Sequence, residues 1–279
     1  MIYIRWLGAA GIELKINDNI FLIDPYFSRI SLFKSIFYKL KPNHKLIKKY
    51  ITQCDYLFIT HSHFDHIMDA ADIIENTSCK VYCSNNSCSI LKSLNIKEKF
   101  LTEINYQDEL HLDSVTVNVL EAEHIKLPDI NTKKSINNVN PPLKAKDYHM
   151  DFNFSYLFSI INKIKILIGN NKYKNNNPTP CDILVTSPFY SYDYYEKIIN
   201  ILKPKIIIPN HWDNFFRPLT KKIKGFKITI QNKFPYIKPY NLKKFENIIK
   251  TISKEIIIYK LEIFRYYDII KLLNSDMNI

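Results

Sequence analysis

The stretch THSHFDHIMDA, Thr60 to Ala70, sets three imidazoles and a carboxylate within the six residues His61 to His66. The chain has only eight histidines in 279 residues, so a packing role for three of them here is hard to defend. An apolar, strand-like run, Asp55-Tyr56-Leu57-Phe58-Ile59, leads into the stretch. His61 and His63 alternate along extended backbone and can face one side. Beyond them, Ile67, Ala70, Ala71 and Ile74 keep the i, i+3, i+4, i+7 spacing of a buried helical face. The histidines therefore sit on a strand-to-helix turn, where side chains converge just past a sheet edge. Such a set would bind a divalent metal, and zinc, iron and manganese all accept these ligands. The alternative, a polar turn that merely caps a helix, does not account for the density of ligand types.

Outward from this turn, the first 24 residues read as a hairpin, IYIRWLG and GIELKI, with turn chemistry at Asn17-Asp18-Asn19 before IFLID. Residues 28–50 are aromatic, basic and roughly amphipathic, which predicts helix with a break at Pro42. After the histidine turn come a helix, the strand KVYCS, a helix around Ser87 to Leu94, and a strand VTVNVLEAEH ending at His124. Residues 125–150 form an irregular excursion rich in Pro, Asn and Lys. A second hairpin, FSYLFSI and IKILIGN, turns at Asn162-Lys163. DILVTS, YYEKIINIL and KIIIPNHW then read as strand, helix and strand. The tail from Leu242 predicts a helix and a strand EIIIYKLEIF. Each half starts with a hairpin and continues through strand and helix units whose strand ends carry histidines. This plan suggests two similar sheets facing each other with helices outside, in a single domain over 1–279.

Composition narrows the function classes. The four glycines, Gly8, Gly11, Gly169 and Gly225, exclude a G-x-G-x-x-G dinucleotide loop, a Walker phosphate loop and a G-x-S-x-G elbow. Where glycine is so scarce, backbone geometry is the expected reason for each. The net charge of +12 comes from lysine, with arginine only at positions 5, 29, 217 and 265. Those lysines are spread along the chain, so no nucleic-acid partner is expected; basic charge still favours an anionic substrate. No apolar run is long enough to span a bilayer, and Arg5 interrupts any signal-peptide pattern, so a cytoplasmic address is expected. Cys54, Cys79, Cys83, Cys88 and Cys181 are odd in number without C-x-x-C pairing and read as reduced thiols. The cationic, aromatic stretch 28–50 suits a membrane surface or, the reading preferred, a cover over a pocket mouth. The 125–150 excursion, with Lys126, Lys133, Lys134, Lys144 and Lys146, is a second covering segment whose lysines either meet a phosphate or are solvated.

His61, His63, Asp65 and His66 form an H-x-H-x-D-H motif that resembles the signature of the metallo-β-lactamase fold superfamily. WLGAAGIELKI with FLIDPY resembles the opening of the branch containing L-ascorbate-6-phosphate lactonase and other metal-dependent hydrolases. EAEH, ILIGN and IIIPNHWDNFF match later segments in the family's order, so the resemblance spans nearly the whole chain. It implies an αββα sandwich in which His61, His63 and His124 hold one metal and Asp65, His66 and His211 a second. Asp65 and His66 would be the catalytic pair of the motif, and Asp24 would orient a ligand through a hydrogen bond. A metal-bound hydroxide would attack an ester-type bond, a lactone or phosphodiester, in a small anionic molecule; the cytosolic address does not suit a β-lactam. Zinc is the leading metal, with manganese or iron as alternatives, in one or two ions. One departure stands out: Gly169-Asn170 replaces the family's Gly-Asp, whose aspartate bridges both metals. Asn170 would be a weaker, neutral ligand, with Asp147, His149 and Asp151 nearby in sequence to compensate. His44 and His111 have no such context. The competing functions are a nuclease or cyclic-nucleotide phosphodiesterase on the same fold, and a non-catalytic metal-binding or sensing protein.

Overall fold

Alternation of apolar residues decides the layers. In the computed structural model, Phe21 and Ile23 face one side of their strand and Leu22 the other; Phe58 is likewise opposed by Leu57 and Ile59. The second half repeats this, with Ile166 and Ile168 against Leu167, and Ile206 and Ile208 against Ile207. Strands apolar on both faces must be covered on both, so two sheets stack on each other and carry helices outside. The structure describes residues 1–124, 136, 139–160, 164–172, 179–231 and 234–274.

The first sheet contains β1 (Ile2–Gly8), β2 (Gly11–Ile16), β3 (Asn19–Ile23), β4 (Tyr56–Phe58), β5 (Lys80–Cys83) and β6 (Leu101–Glu103). Strands β1 to β3 are antiparallel, and β3 to β6 run parallel. The second contains β7 (Glu109–Leu112), β8 (Val115–Glu121), β9 (Phe154–Ile160), β10 (Ile164–Ile168), β11 (Ile183–Thr186) and β12 (Ile206–Pro209). It too is antiparallel from β7 to β10 and parallel from β10 to β12. A separate hairpin pairs β13 (Phe226–Gln231) with β14 (Phe234–Pro239). β15 (Ile257–Ile258) joins the edge of β12, and β16 (Tyr266–Asp268) joins the edge of β1. The helices are α1 (Leu32–Phe37), α2 (His44–Tyr50), α3 (Phe64–Ile67), α4 (Ala70–Thr77), α5 (Asn85–Ser93), α6 (Tyr192–Leu202), α7 (Lys243–Ile252) and α8 (Ile269–Asn274). Leu57, Val81, Ile73 and Leu91 belong to the outer core on the first sheet, and Leu167, Ile207, Tyr195 and Phe245 to the outer core on the second. This is the αββα sandwich.

Several elements differ from the sequence reading. The opening hairpin is a three-stranded meander, because IFLID pairs back on β2. The helix read over 28–50 is two short ones, separated between Tyr38 and Asn43; the Asn43 side chain accepts from Leu46 N and caps the second. EIIIYKLEIF makes only the two-residue β15. That segment travels from the edge of one sheet toward the edge of the other, touching Trp6 through an isolated bridge at Ile263, so it cannot pair along its length. Strands β6, β7, β13, β14 and β16 and helix α8 were not foreseen. The turn expected at Asn162-Lys163 and Lys126, Lys133 and Lys134 of the excursion lie outside the described residues.

Phe58, fully buried between the sheets, stacks on Tyr82 at 5.0 Å and meets Tyr156 and Phe158 edge-on. Phe58→Ala is expected to cost about 3–5 kcal/mol of unfolding free energy, read as a lower urea midpoint at unchanged slope; a loss under about 1 kcal/mol would contradict this packing.

Candidate metal centre

Strand direction brings the site together. β1, β3, β4, β8, β10, β11 and β12 all end at the same edge of the sandwich, the place where open α/β sheets leave a crevice. Asp24 follows β3, the histidine turn follows β4, His124 follows β8, Asn170 follows β10 and His211 follows β12. His63 is the residue that precedes the first turn of α3, and Asp65 and His66 lie within that helix. The crevice is a cavity of about 530 Å³ whose lining includes His61, His63, Asp65, His66, His124 and His211.

Within it the six donors form two triplets, His61 with His63 and His124, and Asp65 with His66 and His211; in each, the ligating atoms lie within 4.8 Å of one another. His61 Nε2 is 3.1 Å from His63 Nδ1, and His66 Nε2 is 3.3 Å from His211 Nε2. Asp65 Oδ2 sits 3.3 Å from His211 Nε2 and 3.7 Å from His66 Nε2. The triplets adjoin, since the His61 and His66 rings are 3.9 Å apart. Ring nitrogens converging on shared points, those of His61, His63 and His66 buried and those of His124 and His211 half-buried, with one carboxylate among them, form a donor set that fits divalent cations.

The surroundings aim these rings. Asp24 Oδ2 lies 2.7 Å from His66 Nδ1, its Oδ1 accepts from Thr60 N at 2.8 Å, and Thr60 Oγ1 also donates to Oδ2. This leaves His66 Nε2 facing the cluster. Tyr156 OH donates to Ile59 O at 2.6 Å, and Phe154 N to Thr60 O at 2.9 Å, tying the histidine turn to the second sheet. Glu123, beside His124, is pinned at its carbonyl by Asn153 Nδ2 and Tyr190 OH, each at 3.0 Å. Beside His211, Asp213 accepts from Ala9 N at 2.8 Å and from Arg29 Nη1 at 2.6 Å. Asp69, entirely buried, accepts from Phe27 N, Ser28 N and Ser28 Oγ and anchors the loop after β3. Arg29, Asp69, Asn153, Tyr190 and Asp213 were missed from sequence. Only Asp213 carried a signal there, standing two residues after His211.

Asn170 departs from the ligand expectation. Its Oδ1 accepts from Thr186 Oγ1 at 2.8 Å and from Ser187 N at 2.9 Å. A backbone N–H can only donate, so this atom is the oxygen, and both its lone pairs are engaged. Asp147 and Asp151 do not compensate: Asp147 accepts from Lys144 N, and Asp151 from Asn86 N and Phe152 N. His149 lines the cavity yet belongs to neither triplet. His44 pairs with Asp72 at 2.5 Å and His111 with Glu109 at 3.3 Å, both away from the site. The five cysteines are free and buried, and none joins a triplet.

The shifts at His61 and Asp65 favour a cation, and the shift at His66 opposes one. Burial, reinforced by the neighbouring imidazoles, holds His61 well below the ordinary imidazole range. Burial pushes Asp65 upward, but His66 and His211 outweigh it and hold the carboxyl below its usual range. Burial pushes His66 down, yet Asp24 and Asp65 prevail and raise it.

The fold and donors define the class, an αββα protein with two adjoining donor triplets that could hold a metal. Residues 19–139 match the family model described as a beta-lactamase superfamily domain. Three relatives are named as metal-dependent hydrolases. The one from Caldivirga maquilingensis is 30% identical over 28% of this chain and 30% of its own, and the one from Koribacter versatilis 32% over 43% and 47%. The third, from Polynucleobacter asymbioticus, is 24% identical over 77% and 75%. The match thus spans less than half of the first two relatives' lengths. Among solved structures, the metallo hydrolase Igni18 of Ignicoccus hospitalis superposes with a TM-score of 0.61 at 12% identity, over 96% of this chain and 98% of its own. CmlA of Streptomyces venezuelae, a diiron β-hydroxylase, gives 0.58 at 13% identity over 96% and 54%. Residues 19–139 thus resemble a beta-lactamase superfamily domain, and the whole chain shares the fold of these solved structures.

A metal ion must displace the proton that His66 holds below its raised pKa. Affinity is therefore full above that pKa and lost as pH falls through it. Chelator competition is expected to show weaker zinc binding at pH 6 than at pH 8, with Asp24→Asn weakening it about ten- to a hundred-fold at pH 8. Equal affinity at the two pH values would sink this assignment.

Proposed function

We propose that the chain is a metal-dependent hydrolase that cleaves an ester-type bond, a lactone or a phosphodiester, in a small anionic molecule. The observation that carries this reading is the pair of adjoining donor triplets lining one cavity, each with two buried members and one half-buried. His61, His63 and His124 hold one cation; Asp65, His66 and His211 hold the other. A divalent metal held by these residues would supply Lewis acidity and acidify a water, whose pKa can fall from about 15.7 toward roughly 7 at such sites. Zinc suits five imidazoles and a carboxylate; the diiron neighbour on this fold keeps iron in view, and manganese is the third choice.

The protein's own groups do the rest. Asp65 stays ionised and orients the His66 and His211 rings; its low pKa makes it an anchor in preference to a proton shuttle. Lys146 and Lys227 line the cavity and favour an anionic substrate. Phe189, Tyr190, Phe215 and Phe216 form an apolar wall that keeps bulk water from the reacting bond. Asn170, neutral and with its oxygen engaged by Thr186 and Ser187, offers no carboxylate to the two triplets. The Asp65 triplet, with Asp24 behind it, is then the tighter site, and the all-imidazole triplet the weaker.

The test is turnover of an activated phosphodiester and of a lactone panel with added zinc or manganese. Asp65→Ala is expected to lower the rate at least about a hundred-fold while preserving the fold by circular dichroism; equal rates would favour a metal-binding protein without catalysis. Asn170→Asp is expected to raise retained metal from one ion toward two per chain by elemental analysis. Unchanged content would remove the argument from the missing carboxylate.

A further inference from the structure

Among the described residues nine large hydrophobic side chains stand exposed, and four of them fall within six positions: Phe33, Ile36, Phe37 and Tyr38. They lie on α1 and its C-terminal cap, at 62, 43, 59 and 56% exposure. Positions 33, 36 and 37 share one helical face. The Phe33 ring packs against its exposed neighbours, 4.9 Å from Phe37 and 6.0 Å from Tyr38 between centroids, so the three rings form one cluster. Leu32, Ser35 and Ile36 of the same helix line the metal cavity. One short helix is thus both cavity wall and exposed aromatic face.

Its charge setting is one-sided. From Pro25 to Cys54 the chain has seven basic residues and no acidic one, more than half of the net +12. Arg29 is used by Asp213. The other six, Lys34, Lys39, Lys41, Lys45, Lys48 and Lys49, are exposed, and none takes part in an ion pair among the described residues. A second copy would present the same positive charge, which disfavours self-association through this face. An aromatic cluster flanked by unpaired lysines complements an anionic lipid surface, where rings enter the headgroup region and each basic residue adds about five-fold in partitioning. No helix among the described residues is long and apolar enough to cross a membrane, so the contact would be peripheral. Behind α1 the cavity continues as an aromatic and aliphatic wall, with Phe64, Phe215, Phe226 and Ile228 in its lining.

We propose that the α1 face docks on an anionic membrane surface and that the cavity takes an anionic amphiphile, its polar end at the metal triplets and its tail along the apolar wall. The bond cleaved rests on the hydrolase reading; the docking does not.

Sedimentation with vesicles tests the docking directly. The whole protein is expected to bind an equal mixture of phosphatidylcholine and phosphatidylglycerol, to leave pure phosphatidylcholine vesicles unbound, and to lose binding as salt rises. The double variant Phe33→Ser, Phe37→Ser should bind at least about ten-fold less, with an unchanged circular dichroism spectrum and unchanged turnover of a short soluble ester. Asp65→Ala should bind like the wild type, so a failed hydrolase reading leaves the docking test intact. Equal binding to both vesicle types, or no effect of the double variant, overturns the docking. So does a wild-type dimer that the double variant makes monomeric. Long-chain alkyl phosphates should compete with metal-dependent turnover at least about ten-fold better than short ones; equal potency overturns the amphiphile.

Discussion

The buried pair between Arg29 and Asp213 holds the loops of both sheets in one place. Asp213 accepts from Arg29 Nη1 and from Ala9 N, so the chain after β1, after β3 and after β12 meets at a single carboxylate. His211 N donates to Ala9 O at 3.0 Å, and Asn210 Nδ2 to Ala10 O at 2.8 Å, which closes the same junction. Gly8 makes the approach possible, because a Cβ there would stand 2.1 Å from Arg29 Nη2. Losing one partner of a buried pair leaves an uncompensated charge and typically costs about 3–5 kcal/mol. Here it would also release His211 from its place opposite His66. The second triplet depends on this contact even though neither member of the pair belongs to it.

The candidate metal centre has an uneven electrostatic design. One triplet is three neutral imidazoles; the other contains Asp65 and is backed by Asp24 through His66 Nδ1. Burial works against a charge on His66, yet Asp24 and Asp65 on either side favour its protonated form and raise its pKa. Thr60 divides its contacts between Asp24, His61 and His66, at 3.0 Å from His61 Nδ1 and 3.3 Å from His66 Nδ1. It therefore joins one ring of each triplet through a side chain that belongs to neither.

What could be read from sequence follows from what is local. The H-x-H-x-D-H spacing, the apolar alternation of β3, β4, β10 and β12, and histidines at strand ends are all set by neighbours a few residues apart. They led to two facing sheets with helices outside; the division into two triplets came from the family resemblance, and the structure brings those residues together. Asn170 was legible as a departure from Gly-Asp, yet its engagement by Thr186 and Ser187 depends on the next parallel strand, β11, lying alongside. Asp147 and Asp151 looked like spare ligands because sequence shows no trace of the backbone N–H groups that occupy them. Arg29 and Asp213, 184 positions apart, have no local pattern linking them. EIIIYKLEIF shows the opposite failure, where strong strand propensity yields to a path between two sheet edges.

Backbone conformation marks the same junction. Ala9, Asp24, Arg29 and His211 all have φ between 46° and 56°, a left-handed region that costs non-glycine residues free energy, of order 1–3 kcal/mol each. Asp and His tolerate it better than Ala or Arg, so composition alone does not explain the cluster. Each of the four is instead fixed by a buried contact just described: Ala9 and Arg29 by Asp213, Asp24 by Thr60 and His66, His211 by Ala9 O. The turns that such φ values create at strand ends bring the Asp24 carboxylate and the His211 ring toward His66 where a relaxed extended exit would carry them onward. Strain and anchoring therefore belong to one device, in which buried hydrogen bonds hold open a geometry that the unassisted backbone would abandon.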